Sequence, residues 1–430
     1  MNRTLIKELK ENETSKISGF VTKMRDTKYM VFLILKDRTG EIQVSFEKAN
    51  NEKLIQEALK STVGSVVSVT GKMVLSEYVK NGGKEFIPES FKLESLAAPS
   101  PLEENAEIDT RLDYRWVDLR SEKNTLIFRI QSALTKAMRE YLYNNGFIEI
   151  HSPKLIGAAS ESGADVFEVK YFDRKAYLAQ SPQFYKQMAM AAGFDRIFEV
   201  GPVFRAEKSF TNRHSTEFTG FDLEFSYIDS YEDVMLMEEN MLRYALLKVK
   251  EEYGDKIKEV FGIDVLIPDK PFPVIKVKDL YEEIEKRYGY KVPESEKSDL
   301  TSEAEKLGCR YAKEALDSEF LFVIDYGADK RPFYHMRDKD GKLQGYDLLW
   351  RGVEITSGAQ REHRYEELKK NAEAAGLGED VKFYLDFFKY GCPSHGGFGI
   401  GLDRLTMLLL GLPSLKEAEF IFRGPNRLNP

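Results

Sequence analysis

Residues 204–224 read FRAEKSFTNRHSTEFTGFDLE. Apolar and polar residues alternate up to this run, in RIFEVGPVFRAE (196–207), and again out of it, in FTGFDLEFSYI (218–228). A period of two signals a strand, so two such runs joined by the basic KSFTNRHST predict an antiparallel hairpin with a long loop. Arg205 and Glu207 lie two apart and share a face; Phe218, Gly220 and Asp222 share a face of the returning strand. A guanidinium, carboxylates and an aromatic ring on one surface suit a nucleotide: arginine for a phosphate, phenylalanine for the base, aspartate for an ammonium group. A basic loop by itself is as often merely solvated, so the flanking strands carry this inference.

The chain is large enough to house such a site. Its 430 residues allow two or three domains, and 42% hydrophobic with 31% charged residues is a globular composition. No apolar run reaches the roughly 20 residues of a membrane span. The N-terminal MNRTLIKELKENETSK lacks the apolar core of a signal peptide, so a cytoplasmic protein away from membranes is expected. Cys309 and Cys392 suggest no disulfide framework, and the five histidines show no zinc spacing. A net charge of −8 excludes a nucleic-acid coat but not a local phosphate-binding patch. Residues 1–95 hold 16 Lys/Arg against 13 Asp/Glu, so the basic part is N-terminal.

That part reads as β-rich runs at 16–25, 29–37, 41–48, 65–74 and 86–96, with turn signals such as DRTG and KNGG and one helical run at 50–62. Five strands and a helix suggest a small barrel of the OB type; strand count alone also allows a fibronectin-like sandwich. Residues 1–98 are expected to form this domain, 99–120 a polar linker, and 121–430 a second domain, giving an α+β protein. Within the second, 121–145 is a long amphipathic helix closed by Gly146, 231–261 is another, and 265–320 reads as a small mixed insertion.

Three further segments carry chemistry-bearing residues. HGGFGIGLDRLTMLLLGL (395–412) is a glycine-rich strand feeding an apolar helix, with Arg404 near the helix start, a pattern that suits phosphate. In YLAQSPQFYKQMAM (177–190), Ser181 and Pro182 predict a helix start, which sets Gln183 and Lys186 on one face. By pattern alone Lys186 reads as a surface lysine. In GYDLLWRGVEITSGAQREHRYEEL (345–368), WRGV predicts a tight hairpin that puts Leu349 opposite Glu354 and brings Asp347 to the same face. Two carboxylates beside a nucleotide suit Mg2+.

These segments resemble a known family. FRAE…RHSTEF is similar to the second signature of class II aminoacyl-tRNA synthetases, GGFGIGLDR to the third, and FIEIHSPKL (147–155), with Pro153, to the first. The resemblance implies an antiparallel catalytic sheet flanked by helices and a homodimer through the first signature. QSPQxYKQ resembles the aspartyl-tRNA synthetases within that class, of the archaeal and eukaryotic type. On that resemblance Lys186 and the SGAQR arginine, Arg361, read the aspartate side chain, with Ser181 and Gln183 beside it. Asp222 and Glu161, the latter in the small-residue loop GAASESGADVFEV (157–169), hold the α-ammonium. Arg205 takes the α-phosphate and Arg404 the γ-phosphate; Glu207, Arg213, His214, Ser215 and Gly401 border ATP, and Phe218 stacks adenine. Glu354 and Ser357 hold metal and substrate, with Asp347 joining them at Mg2+. In the barrel, Arg25, Phe32 and Gln43 meet the anticodon.

The implied reaction has two steps. The α-carboxylate of L-aspartate attacks ATP to give aspartyl-adenylate and pyrophosphate, and the terminal ribose of tRNA(Asp) then takes the aspartyl group. Thr22, where strict archaeal members often carry Trp, points toward tRNA(Asn) as a second acceptor. Lys186 with Arg361 speaks against the asparagine-specific relatives, and the barrel speaks against an amide-forming paralogue without tRNA. Filled catalytic positions speak against a non-catalytic tRNA-binding protein. Gly424, Asn429 and Ser394 depart from the family's usual residues.

Overall fold

The structure is a computed structural model that describes residues 2–79, 82–158, 166–327 and 331–430. Two compact units divide at residues 117 and 118. In the first, β1 (Thr14–Asp26), β2 (Met30–Asp37), β3 (Gly40–Glu47), β4 (Val66–Leu75) and β5 (Lys84–Ser95) close a barrel in the order β1-β2-β3-β5-β4. Alternation fills it: Val31, Leu33 and Leu35 of β2 point inward, fully buried, beside Val44, Val67, Val69 and Phe86. The helix between β3 and β4, α1 (Glu52–Leu59), starts where Asn51 Oδ1 accepts from Leu54 N and packs Ile55 and Ala58 onto this core. A barrel, and not a sandwich, is what these strands make. The stretch expected to be a linker holds two short helices, α2 (Ile108–Asp113) and α3 (Arg115–Asp118).

The second unit opens with α4 (Glu122–Asn144), capped by Ser121 Oγ on Asn124 N; the left-handed Gly146 follows it. The first-signature stretch gives only the short β6 (Ile148–Glu149) and β7 (Leu155–Ile156). Then come β8 (Glu168–Tyr171), β9 (Arg174–Leu178), α5 (Gln183–Ala191), β10 (Arg196–Phe204), β11 (Glu217–Ser226) and the capping-box helix α6 (Tyr231–Phe261). The rest is β12 (Val274–Lys276), α7 (Val277–Tyr288), α8 (Ser302–Leu316), β13 (Phe320–Ile324), β14 (Gly345–Trp350), β15 (Val353–Arg361), α9 (Tyr365–Ala374), α10 (Lys382–Leu385), β16 (His395–Gly401), α11 (Leu402–Leu409) and α12 (Leu415–Ala418).

Among the described residues eight of these strands form one sheet, β12-β13-β14-β15-β16-β11-β10-β6, antiparallel except for the β6–β10 and β12–β13 pairs at its edges. Of the segment expected to be an insertion, β12 joins the edge of the main sheet beside β13, and α7 and α8 cover these strands through Leu280, Ile284 and Ala312 against Leu321 and Val323. One face of the central strands packs on α4 and α6, where Phe221, Leu223, Phe398 and Ile400 meet Leu134, Met138 and Leu242. The residues between them in sequence point to the opposite face, which carries the site.

Candidate active site

Four segments border one cavity of about 280 Å3 in the second unit: the β10–β11 hairpin, the start of α5, the β14–β15 hairpin and the β16–α11 junction. One end is a buried ionic cluster. Lys186 is 1% exposed, so it is not the surface lysine its helix suggested. Its Nζ donates to Asp222 Oδ1 at 2.9 Å and to the Phe398 carbonyl at 3.3 Å, and lies 3.6 Å from Glu224 Oε2. Arg361 Nε donates to Glu224 Oε1 at 3.0 Å, and the same guanidinium donates to His335 Nε2 and the Gly397 carbonyl. Glu224 thus ties the two cations together. Two positive and two negative side chains share this volume, and burial is tolerated because each has an opposite partner. A guanidinium only donates, so His335 Nε2 accepts and the ring is neutral with its proton on Nδ1. Burial and the Arg361 charge hold His335 well below the usual histidine pKa.

The glycine-rich strand is explained by these carboxylates. Asp222 pairs with Gly399 and Glu224 with Gly397 across β11 and β16. A Cβ on Gly399 would stand 2.8 Å from Asp222 Oδ1, and one on Gly397 2.1 Å from the Leu223 carbonyl and 2.4 Å from Glu224 Oε2, so the neighbouring backbone adds to the constraint at Gly397. Beside the cluster, Ser181 Oγ accepts from Gln183 N at the start of α5, and the helix begins one residue later than expected. Gln183 donates to Gln187 Oε1, and Gln187 Nε2 donates to His395 Nε2, whose Nδ1 donates to the Pro393 carbonyl. Burial lowers the His395 pKa to about 4, so this chain is uncharged.

The other end is rich in arginine. Arg404, in the first turn of α11 beside Gly401, donates to the Glu354 carbonyl at 2.9 Å. Arg213 is held by Glu305 at 3.3 Å and by Ser302 Oγ at 3.0 Å, both on α8. β10 ends at Phe204, so Arg205 and Glu207 leave the strand and sit in the loop, yet both line the cavity. Arg205 lies over the Phe218 ring, 5.5 Å from its centroid, with Glu207 4.0 Å away. His214 is hydrogen-bonded to Thr211, and burial with the Arg404 charge lowers its pKa. Ser215 Oγ donates to the Glu217 carbonyl.

The β14–β15 hairpin turns on Arg351 and Gly352, both left-handed, and pairs Leu349 with Glu354 as expected. What the alternation did not reveal is a bulge: Leu348 pairs with Thr356 and Leu349 with Glu354, leaving Ile355 as an extra residue. A regular strand would send Glu354 and Ser357 to opposite faces; the bulge turns both toward the cavity. Burial and the nearby Asp347 charge raise the Glu354 pKa to about 8, a carboxylate that a cation would favour in its ionised form. Glu354 and Ser357 offer hard oxygen donors that fit Mg2+. Among the described residues no three His, Cys, Asp or Glu side chains converge as a metal set, so phosphate oxygens would have to complete the shell. Asp347 differs from expectation. It is buried outside the cavity lining, and Arg331 binds it through both oxygens. Glu161 lies outside the described residues.

Several residues escaped the sequence reading. Glu224 was legible, two positions beyond Asp222 on the same face. Gln187 was legible too, one helical turn beyond Gln183. His335, Glu305 and Arg331 gave no signal, because each reaches the site from a segment whose position only the fold defines. In the first unit, Phe32 and Gln43 point outward on β2 and β3, each half-buried, and Arg25 pairs with Phe32 across β1 and β2. Gln43 sits diagonally beside them, opposite Ile34. These three form one outer patch.

Residues 107–422 match the family described as tRNA synthetases class II (D, K and N), and residues 16–94 match the OB-fold nucleic acid binding domain. The chain is 42% identical to the aspartate–tRNA(Asp/Asn) ligase of Aeropyrum pernix over 96% of this chain and 95% of that protein. It is 42% identical to the aspartate–tRNA(Asp) ligase of Picrophilus torridus over the full length of both. The asparaginyl-tRNA synthetase of Pyrococcus horikoshii complexed with asparaginyl-adenylate superposes with a TM-score of 0.90 at 30% identity, covering all of both chains. On these two family matches, which cover most of its length, the chain belongs to the class II tRNA synthetases of the D, K and N group and carries an OB-fold nucleic acid binding domain at its N-terminal end.

Proposed function

We propose that the protein activates L-aspartate with ATP and transfers it to tRNA(Asp). The observation that carries this reading is the buried Lys186–Glu224–Arg361 linkage, which keeps two cations side by side in the cavity that Arg205 also lines. A dicarboxylic amino acid brings one more carboxylate to that pair than a neutral amide does, and charge-assisted bonds to it are the stronger ones. Asp222 and Gln183 border the same end and receive the α-ammonium and the substrate backbone. Arg205 takes the α-phosphate as charge builds there, Arg404 the γ-phosphate, and Phe218 the adenine face. Arg213 and His214 border the phosphate tail, with Glu207, Ser215 and Gly401 along the wall. Glu354 and Ser357 would hold Mg2+, which when bound neutralises phosphate oxygens. No side chain acts as a covalent nucleophile: the reaction runs on positioning and on fixed charge.

Arg25, Phe32 and Gln43 receive anticodon bases, with Phe32 as a stacking platform. Both ligase types among the relatives support tRNA(Asp), and the Asp/Asn type adds tRNA(Asn) as a second acceptor. The protein works in the cytoplasm as a homodimer joined around Pro153, a reading supported by the exposed Leu155 and Ile148 on either side of it. The test is ATP–pyrophosphate exchange with aspartate and with asparagine, followed by aminoacylation of purified tRNA(Asp) and tRNA(Asn). Exchange with asparagine alone would overturn the substrate assignment.

A further inference from the structure

Asp347 and Ser357 are cross-strand partners on β14 and β15. A guanidinium spans them. Arg331 Nη1 donates to Asp347 Oδ1 at 2.9 Å and to Ser357 Oγ at 3.1 Å, and Nη2 donates to Asp347 Oδ2 at 2.5 Å. The Tyr326 ring lies against it, 3.9 Å from centroid to guanidinium, and Asp299 stands 3.7 Å away. The Arg331 side chain is 14% exposed and that of Asp347 3%. A forked, nearly dry pair of this kind is among the stronger ionic contacts a protein makes.

This guanidinium holds the oxygens that a divalent ion at the β14–β15 hairpin would want. Both are cations and the Asp347 carboxylate attracts either, so they compete for it. With Arg331 seated, Asp347 is neutralised and Glu354 is the carboxylate left for the cavity. With Arg331 withdrawn, Asp347, Glu354 and Ser357 present two charges and a hydroxyl. Left bare, the buried Asp347 and the half-buried Glu354 carboxylates would repel each other, and Asp347 would lack solvation.

We propose that Arg331 is the resting counter-ion of the metal end of the site, exchanged for the divalent ion when that ion arrives with the nucleotide. The inference rests on the reading above that Glu354 and Ser357 hold the ion. It makes Arg331 a positioning residue whose departure frees Asp347, and it couples metal loading to nucleotide loading.

The experiment titrates Mn2+ alone, without nucleotide, into the full chain and follows the free-ion EPR signal. Arg331→Gln is expected to bind Mn2+ at least tenfold tighter than the unaltered chain, and Arg331→Lys, which keeps a charge but loses the fork, to fall between. The double variant Arg331→Gln/Asp347→Asn is expected to return to the unaltered affinity. Equal or weaker binding by Arg331→Gln overturns the proposal. So does a gain that survives Asp347→Asn, since a general field effect and not exchange on Asp347 would then be at work. If Arg331→Gln fails to fold, Arg331→Lys against the unaltered chain decides by the same direction. Aspartate-dependent pyrophosphate exchange by the unaltered chain is run alongside: its absence defeats the aspartate reading while the Mn2+ titration still reports on Arg331.

Discussion

Replacing Arg205 by alanine separates folding from chemistry. Its side chain is 44% exposed, its nearest carboxylate is Glu207 at 4.0 Å, and its ring contact with Phe218 is at 5.5 Å. An exposed ion pair contributes about 0–1 kcal/mol. A cation–ring contact at a half-open site contributes about 0.5–1 kcal/mol. Denaturant unfolding should therefore register a loss of about 0.5–2 kcal/mol. The catalytic cost is expected to be far larger. A donor fixed where charge develops, once removed, lowers rates by about 10²–10³, or roughly 2.7–4 kcal/mol. The assay is aspartate-dependent pyrophosphate exchange at saturating ATP, with unfolding midpoints measured on the same samples. Arg205→Lys, which keeps the charge without the fork, should recover part of the rate. Exchange within a few-fold of the unaltered protein in Arg205→Ala would refute the role given to this arginine; a matching collapse of stability would mean the contacts described here understate its structural part.

Other substitutions are expected to behave differently. Lys186→Met leaves Asp222 and Glu224 buried without their shared cation, and breaking a buried pair costs about 3–5 kcal/mol, so unfolding midpoints should drop sharply as aspartate binding is lost. Phe32→Ala should weaken aminoacylation through tRNA by about 1–3 kcal/mol in kcat/KM while tRNA-independent pyrophosphate exchange stays unchanged. Glu238 of α6 is fully buried and accepts from Tyr346 OH, and burial raises its pKa to about 8. Its carboxyl is protonated in the fold and ionises near 4.5 when unfolded, so its contribution is complete below pH about 4.5 and is lost as pH rises through about 8. Glu238→Gln should flatten the fall in stability between those limits, by an amount on the order of a few kcal/mol; an unchanged pH profile would contradict this.

Much of the protein was written locally in its residues. Two-residue alternation specified the barrel strands and the β10–β11 hairpin, because side chains on a strand reach opposite faces whatever lies beyond it. Ser121, Ser230 and the left-handed Gly146 and Gly262 bounded the long helices, because caps act within one turn. One wall of the cavity was legible through the same strand alternation: Phe218, Gly220 and Asp222 follow from spacing alone. Other features depend on partners distant in sequence. The bulge at Ile355 exists only relative to β14, so the common direction of Glu354 and Ser357 could not be read from β15. β12, inside the segment 265–320 that reads as an insertion, is placed at the sheet edge only by its pairing with β13. Lys186 reads as a surface lysine until β11 lays Asp222 and Glu224 against it, and Asp347 reads as open until Arg331 arrives from the chain ahead of β14. Sequence alone determined which groups were present and which local face each one took. Tertiary structure decided which of them neutralise one another, because the energy of a buried charge depends on the few ångströms to its nearest partner, and chain spacing does not set that distance.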